Sequence, residues 1–339
     1  MFCRCCSNDA EIIGRQKFAA SSVYFAGGRS IVCRSNFRSV TANRIMSLFS
    51  RTVAAVSIVL LLAGGSLVAQ EASPENGSTP PVQSIFEDPN LEAAVRDEVF
   101  EKRYNDDPIT AEDVKNISRV IGRGKAIASL EGLQHCRRLM LVDLADNEIT
   151  DLTPIADLKL LQSITLADNQ LTDITPLAKL TKAQLVDLSG NRVTDLSPLK
   201  DMSNLRTLYI AGNGLTSLDP IAGLTKIWSL DASDNQLTDL SPVKDLSSLT
   251  TLNLSGNRLT SLEPIANLQR LNLLLAERNQ ISDLSTLVQM CREDYQSDRR
   301  FAPYLDVYLD GNPIESETFE IIRKTLAEFG TEIKSRSDR

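Results

Sequence analysis

The chain has 339 residues, and its charge is distributed unevenly along its length. Residues 1–69 carry 8 Lys and Arg against 2 Asp and Glu, which leaves 28 basic and 42 acidic residues and a net charge of about −14 after that point. A body this acidic repels phosphate backbones, so we expect no nucleic-acid partner.

The amino-terminal region contains a segment typical of a secretory signal peptide. Residues 46–69 combine Arg51, an apolar run from Val53 to Ala63, and small residues that lead to Ala69. A single membrane anchor is the alternative, but the run is shorter than the ~18 apolar residues of a spanning helix, and Gly64 follows it directly. We therefore predict cleavage near Ala69, a mature chain without a membrane span, and a secreted, periplasmic or cell-surface location.

The segments on either side of this signal lack periodic patterns. A signal peptide belongs at the start of a protein, so we interpret residues 1–45 as a non-native upstream extension, with translation from Met46. An Arg-rich, transit-like extension is the alternative. Residues 70–84 include PENGSTPPVQ, a composition that predicts a flexible linker.

From residue 117 onward the sequence repeats. An Asn recurs every 22 residues from Asn147 to Asn279, and Asn312 follows after 33, so one unit carries an insertion of 11. A weaker unit, ISRVIGRGKAIASLEGL, comes first and has Lys125 in place of the Asn. Apolar residues five and three positions before each Asn predict a short strand with one buried face. Such strands must stack on one another, which predicts a solenoid with one parallel sheet of eight strands.

The recurring Asn has a structural explanation. It follows the strand at a turn where backbone N–H and C=O groups lose their partners in the sheet, and a side-chain amide both donates and accepts hydrogen bonds. After it, apolar residues at steps of three, with a Pro among them, predict a 3₁₀-like convex side. Thr-Asp pairs such as Thr150-Asp151 predict turns or caps, because their spacing does not match a calcium loop.

This pattern, L-x-x-L-x-L-x-x-N-x-L-T-D-L-x-P-L-x-x-L, resembles the 22-residue leucine-rich repeats of bacterial internalins and of phosphatase regulatory subunits. The resemblance covers residues 117–314 and implies an α/β leucine-rich-repeat horseshoe with a concave sheet. Residues 85–116 resemble the helical amino-terminal cap of internalin-like proteins, in which Asp88 and Pro89 are expected to start a helix. We expect residues 315–339 to form a helical carboxy-terminal cap, and the insertion CREDYQSDRRFAPY to be a solvated excursion.

No combination of residues in the sequence predicts catalysis, a metal site or a cofactor site. The only His is His135, and its surroundings in the sequence offer no nucleophile–base pair. Cys136 and Cys291 lie seven repeats apart, too far for an intramolecular disulfide. We therefore predict a protein that is not an enzyme and that has no cofactor.

The concave face is the predicted binding surface, since its outward side chains are not needed for the fold. Tyr209 lies between Asp187 and Asp231 at one position of the repeat, and an aromatic residue among polar neighbours is a common interface anchor. Trp228 lies just before a strand, where alternation does not decide its direction. A rival apolar group near the carboxy end consists of Leu273, Leu275 and Tyr308.

These features favour an exported leucine-rich-repeat protein that binds a macromolecule, most simply a protein, on its concave face. One alternative is a structural, envelope-organising role through contacts between repeats. Another is an intracellular phosphatase-type regulatory subunit, which the repeat class allows and the signal peptide disfavours.

Overall fold

The computed structural model describes residues 83–298 and 300–335, and within them the main element is a single sheet. Its ten strands are parallel and follow one another in chain order, as the repeat predicts. The strands are β1 Arg119–Ile121, β2 Leu141–Asp143, β3 Ser163–Thr165, β4 Leu185–Asp187, β5 Thr207–Tyr209, β6 Ser229–Asp231, β7 Thr251–Asn253, β8 Leu273–Leu275, β9 Asp306–Tyr308 and β10 Glu332–Lys334.

Register follows the 22-residue period, so Val186 of β4 pairs with Leu208 of β5, and Leu208 with Leu230 of β6. These central residues are fully buried, whereas the residues on either side of them in each strand are partly exposed. The predicted alternation is thus confirmed. The expected number of eight strands is wrong, because β1 forms from the weaker first unit and β10 follows the last helix.

The repeated Asn side chains line the turns after the strands and are almost fully buried in most units. Asn169 is representative: its Nδ2 donates to the carbonyl oxygens of Leu144, Leu166 and Ala167 at 3.0–3.1 Å. Its Oδ1 accepts the backbone N–H of Ile149 at 3.0 Å. Each Asn therefore connects its own turn to that of the preceding unit, as the sequence predicts.

The convex side consists mainly of short 3₁₀ helices that begin with or next to a Pro, as the steps of three predict. Most of them are three residues long, for example Ser197–Leu199 and Ser241–Val243. A preceding Asp stabilises most of these starts: Asp151 Oδ1 accepts the Thr153 N–H at 2.8 Å, and Asp239 Oδ1 accepts that of Ser241 at 2.9 Å. In two units a Ser hydroxyl takes this role, as Ser217 does for the Asp219 N–H at 2.9 Å. The Thr-Asp pairs are therefore turn residues.

The insertion is only in part the solvated excursion that the sequence suggests, because one side of it is buried. Helix α3, Ser285–Gln296, replaces the 3₁₀ segment of its unit, and its inner face is buried. Phe301 is only 1% exposed, and the carboxylate of Asp294 accepts the backbone N–H of Phe301 and Ala302. Its inner side therefore packs into the core through apolar residues and a carboxylate that pairs with the returning backbone, while its other side chains, such as Tyr304, stay exposed.

Helices close the solenoid at both ends. At the amino end, α1 Pro89–Arg96 and the short α2 Ala111–Val114 precede β1. Asp88 is the N-cap of α1: its Oδ1 accepts the N–H of Asn90 at 2.8 Å, and its Oδ2 accepts the N–H of Ala128 at 2.7 Å. Asp88 therefore joins the helix to the first repeat.

At the carboxy end, α4 runs from Ser316 to Phe329 and packs beside α3, with the rings of Tyr295 and Phe329 5.4 Å apart. Gly330, with φ of +93°, ends the helix and turns the chain into β10. A purely helical cap is therefore wrong for this end, because a parallel strand covers the edge of β9 that the helix leaves open.

The described part of the chain contains no helix that is both long and apolar enough to cross a membrane. The predicted extension 1–45, the signal peptide 46–69 and nearly all of the linker 70–84 lie outside the described residues. The assignment of those segments stays a prediction.

Candidate binding face

The concave face is formed by the first and third residues of each strand. Because the strands are parallel and in register, residues at the same repeat position form straight rows across the sheet. The third residues form one row, which we name the tyrosine row. In order along the sheet, it consists of Ile121, Asp143, Thr165, Asp187, Tyr209, Asp231, Asn253, Leu275, Tyr308 and Lys334.

Tyr209 lies in the middle of this row, paired in register with Asp187 on one side and Asp231 on the other. Its side chain is partly exposed, and its hydroxyl has no hydrogen-bond partner among the described residues. The structure thus brings together the three residues that the sequence places at the centre of the face. A tyrosine with a free hydroxyl above a rigid sheet can offer both an apolar ring and a polar tip.

The two flanking carboxylates are held by local hydrogen bonds. Asp231 Oδ1 accepts the N–H and the hydroxyl of Ser233 at 3.0 and 2.6 Å, and its Oδ2 accepts Asn253 Nδ2 at 2.9 Å. Asp187 Oδ1 accepts the Ser189 N–H at 3.0 Å. Both carboxylates therefore stabilise the end of their own strand, and their orientation is fixed before any partner arrives.

Asp187 has an unusual electrostatic environment for a residue on an open face. Burial raises the pKa of its carboxyl group, and the nearby carboxylate of Asp168 acts in the same direction. The hydrogen bonds from Ser189 and the charge of Arg123 lower the pKa but do not offset these effects. A cation placed next to Asp187 would lower the pKa of this carboxyl group, so the site favours a positively charged contact group.

Trp228 faces outward, which decides the question that the sequence leaves open. Its side chain is 54% exposed, and its Nε1 donates to the Thr207 hydroxyl at 2.9 Å. Thr207 and Tyr209 are the first and third residues of β5 and point to the same side of the sheet. The indole is therefore held on the concave side near Tyr209, and the two form one surface with Asp187, Asp231 and Thr207, which we name the Tyr209–Trp228 surface.

The rival group at the carboxy end is not assembled as the sequence suggests. Leu273 and Leu275 are partly exposed on β8, but Tyr308 is only 7% exposed. Tyr308 is not at the end of the sheet, because β10 places Lys334 beside it in register. Lys334 Nζ pairs with Asp306 at 2.8 Å and with Glu332 at 3.4 Å, so an ion-pair cluster lies directly beside the two leucines and the buried tyrosine.

Comparisons with known proteins address the family. A family model described as leucine-rich repeats in two copies matches residues 184–223 and 225–267. The crystal structure of an internalin C2 from Listeria monocytogenes is 36% identical, with a TM-score of 0.58, and the match covers 61% of this chain and 91% of that one.

The chain belongs to the internalin-like leucine-rich-repeat proteins.

An internalin F structure from the same organism is 23% identical, with a TM-score of 0.39 and coverage of 74% of this chain and 95% of that one. A search of curated proteins finds no match.

Sequence reasoning missed two exposed apolar residues of this internalin-like face, both at its amino end. Ile121 is 46% exposed and begins the tyrosine row, and Met140 is 44% exposed and occupies the repeat position of Trp228. Both positions could have been found by extending the rows into the first, weaker unit.

The two cysteines of the described region are buried and unpaired. Burial raises the pKa of Cys136 to about 12 and that of Cys291 to about 11, so both thiols stay protonated at neutral pH. Within residues 83–298 and 300–335, no three or more His, Cys, Asp and Glu side chains are grouped so that they could hold a metal ion.

Proposed function

We propose that this protein binds a partner protein at the Tyr209–Trp228 surface of its concave face. The observation that carries the proposal is a pair of aromatic side chains on the open side of one sheet, Trp228 exposed and Tyr209 partly exposed, with Trp228 held in place by its hydrogen bond to Thr207. Neither side chain contributes to the buried core. Aromatic anchors with polar surroundings are typical of the residues that dominate binding energy in protein interfaces.

The shape and charge of the face suggest the chemistry of the partner. Ten strands at ~4.8 Å spacing make a sheet on the order of 43 Å long, enough for a standard interface of ~800 Å² per partner. Asp187 and Asp231 flank the ring of Tyr209. The complementary partner therefore offers Lys or Arg beside an apolar pocket.

We also propose that the protein acts as an exported binding protein and not as an enzyme. Its outward side chains are spread over an open sheet, whereas catalytic groups typically converge in a closed pocket. Export is supported by the signal-like segment 46–69 and is tested by peptide mapping of the native amino terminus. A start at Gln70 supports export, and a cytosolic protein that retains residues 46–69 would contradict it and favour the intracellular regulatory subunit.

The binding proposal is tested in two steps. First, a photo-crosslinking amino acid is placed at position 209, with a matched probe at exposed Ser197 on the convex side, to identify the partner in source cells. The purified partner is then titrated against wild type and Tyr209→Ala. Loss of an interface anchor is expected to weaken binding by ~2 kcal/mol or more, with an unchanged thermal melt.

Thr165→Ala is the control, because Thr165 lies in the same row two strands away and is also partly exposed. Its affinity is expected to match that of the wild type. Unchanged affinity for Tyr209→Ala together with a loss for Leu275→Asp would move the site to the carboxy end. Unchanged affinity for both would reject the concave face and favour an envelope-organising role.

A further inference from the structure

A second surface lies along the edge of the sheet where the strands begin. Each repeat approaches its strand through four residues, seven to ten positions before the Asn, from residues 137–140 to residues 269–272. Because the strands are parallel, these seven segments lie side by side at one edge. They contain seven Lys and Arg and no Asp or Glu, although the chain as a whole is acidic. We name this surface the basic edge.

Four of the seven cations are regularly spaced. Arg138, Lys182, Lys226 and Arg270 occupy the same position of every second repeat, so they recur at about 10 Å along a straight edge of about 29 Å. Arg137, Lys159 and Arg206 add charge between them. All seven side chains are exposed.

These cations are available to a ligand. None of the seven forms an ion pair with any residue in the described ranges, in contrast to Lys179, which pairs with Asp157 at 3.1 Å on the convex side. Lys226 Nζ instead donates to Asn204 Oδ1 at 3.1 Å, within the basic edge itself. Cations in a row without ion-pair partners create a local positive potential.

The opposite edge shows that this charge is not a general property of the repeat. The turns after the strands, from residues 146–151 to residues 278–283, contain nine Asp and Glu and three Arg. Several of those carboxylates stabilise turns, as Asp151 does for Thr153 and Asp239 for Ser241. The cations of the basic edge have no comparable role in the fold.

The side chains between the cations are suited to hydroxyl groups. Gln162, Gln184 and Asn204 line a groove of about 270 Å³ together with Lys182 and Arg206. Their amides can donate and accept hydrogen bonds at once. A second groove of about 590 Å³ follows along the same edge, where Arg270 lies among Ser, Thr, Asn and Gln side chains.

We propose that the basic edge binds a linear acidic polysaccharide, one that carries carboxylate or sulfate groups at regular intervals. The cations pair with its anionic groups, the amides and hydroxyls bond its sugar hydroxyls, and the exposed indole of Trp228 packs on the apolar face of a sugar ring. The proposal is independent of the protein partner, although Trp228 borders both surfaces.

Two other polyanions fit the basic edge less well. A single nucleic-acid strand is typically bound by several aromatic side chains that stack on successive bases, and Trp228 is the one aromatic residue in the seven segments. An anionic membrane requires apolar groups that insert beside the cations, and this row offers only Met140, Leu160 and Trp228 as large exposed apolar side chains.

The test measures binding of the full chain to heparin and to polygalacturonate, as sulfated and carboxylated probes, with neutral dextran as the uncharged control. Lys182→Glu/Lys226→Glu is compared with Lys200→Glu/Lys244→Glu, which reverses two exposed convex-side lysines at the same 44-residue spacing. The first variant is expected to bind at least ~10-fold more weakly and with a smaller salt dependence. The second is expected to stay within ~2-fold of wild type.

Several results would overturn the proposal. Equal losses in the two double variants would show that net charge alone is responsible, and absence of binding to both acidic probes would remove the site. Tighter binding to oligo-deoxythymidylate or to vesicles with anionic phospholipid would assign the edge to a different ligand. Tyr209→Ala is expected to leave heparin binding unchanged, so failure of this site and failure of the protein-binding site can be told apart.

Discussion

The two sides of the central sheet follow different rules, and strand β7 shows both. Beneath the sheet, Leu252 and Leu254 are fully buried in the positions where every unit from β2 to β9 has an apolar residue. Above the sheet, Thr251 and Asn253 are partly exposed, and their neighbours in register include residues as different as Ser229 and Leu275. Recurring residues are thus explained by the fold, whereas the varied ones are free to serve binding.

The largest expected difference between the two sides comes from Leu254→Ala. It leaves a cavity in a fully buried position, so the free energy of unfolding is expected to fall by about 2–5 kcal/mol. Thr251→Ala, on the open side of the same strand, is expected to change it by less than ~0.5 kcal/mol. Thermal or denaturant melts of the two variants make the comparison, and equal effects would contradict the assignment of the two sides.

Asn235→Ala tests the buried turns that follow the strands. Asn235 Nδ2 donates to Ile210, Ala232 and Ser233 carbonyls, and its Oδ1 accepts the Leu215 N–H at 3.0 Å. Removing this amide leaves buried backbone groups unpaired, at an expected cost of about 1–3 kcal/mol.

Asn213→Ala is the matched variant, because Asn213 makes the same kind of contacts but is only partly buried. Water can reach its turn, so the expected loss in a denaturant melt is smaller than for Asn235→Ala. A larger loss for Asn213→Ala would show that burial does not control the strength of these bonds.

Gly256→Ala tests a glycine in the turn after β7. Gly256 has a φ of +71°, and an added Cβ would lie 2.1 Å from Asp234 Oδ1 and 3.2 Å from Arg278 Nη2. The absence of a side chain lets Arg278 reach Asp234 across one repeat at 2.8 Å. We expect a loss of about 1–2 kcal/mol in a thermal melt. Gly223→Ala should have little effect, because an added Cβ there meets no atom within 4 Å beyond the adjacent residues and φ is not in the left-handed range.

The smallest expected effect concerns Asp88, which connects the amino-terminal helix to the first turn. Burial alone raises the pKa of Asp88, but backbone N–H donors from Ala128, Ser129 and the helix outweigh it, so the pKa lies below its usual value. Because the pKa of Asp88 is lower in the folded than in the unfolded chain, its carboxylate contributes to the free energy of unfolding above the unfolded pKa of ~3.9. This contribution is lost as the pH falls through the folded pKa.

Asp88→Ala is expected to cost about 1 kcal/mol at neutral pH, the usual cost of losing an N-cap. In acid the free energies of unfolding of wild type and variant should converge, because the protonated Asp88 no longer offers a carboxylate to the backbone N–H groups. A difference between them that persists below pH ~2 would contradict the titration of Asp88 as its source.

Much of this architecture could be predicted from the sequence, because each repeat contains the signals for its own structure. The alternation around Val186 and Leu208 predicts a strand, the recurring Asn predicts its turn, and apolar residues at steps of three, with a Pro among them, predict the 3₁₀ convex side. These signals are local and recur at a fixed spacing, so stacking the units leaves a single arrangement that buries every apolar face.

The ends and the exposed surfaces were decided by tertiary structure. The insertion that contains α3 has no repeat to compare with, and whether its apolar residues are buried depends on α4, which lies beside it only in the folded protein. Tyr308 is buried because β10 returns to pair with β9, a contact made after an intervening helix. The sequence allows Trp228 to face either way, and its direction is set by the hydrogen bond from its indole N–H to the Thr207 hydroxyl of the neighbouring strand. The sequence by itself determined the repeating interior, since the same residues must be buried in every unit. Only the folded chain determined which of the non-repeated side chains contact one another. Such contacts join residues that are not separated by the 22-residue period, so the repeat does not predict them.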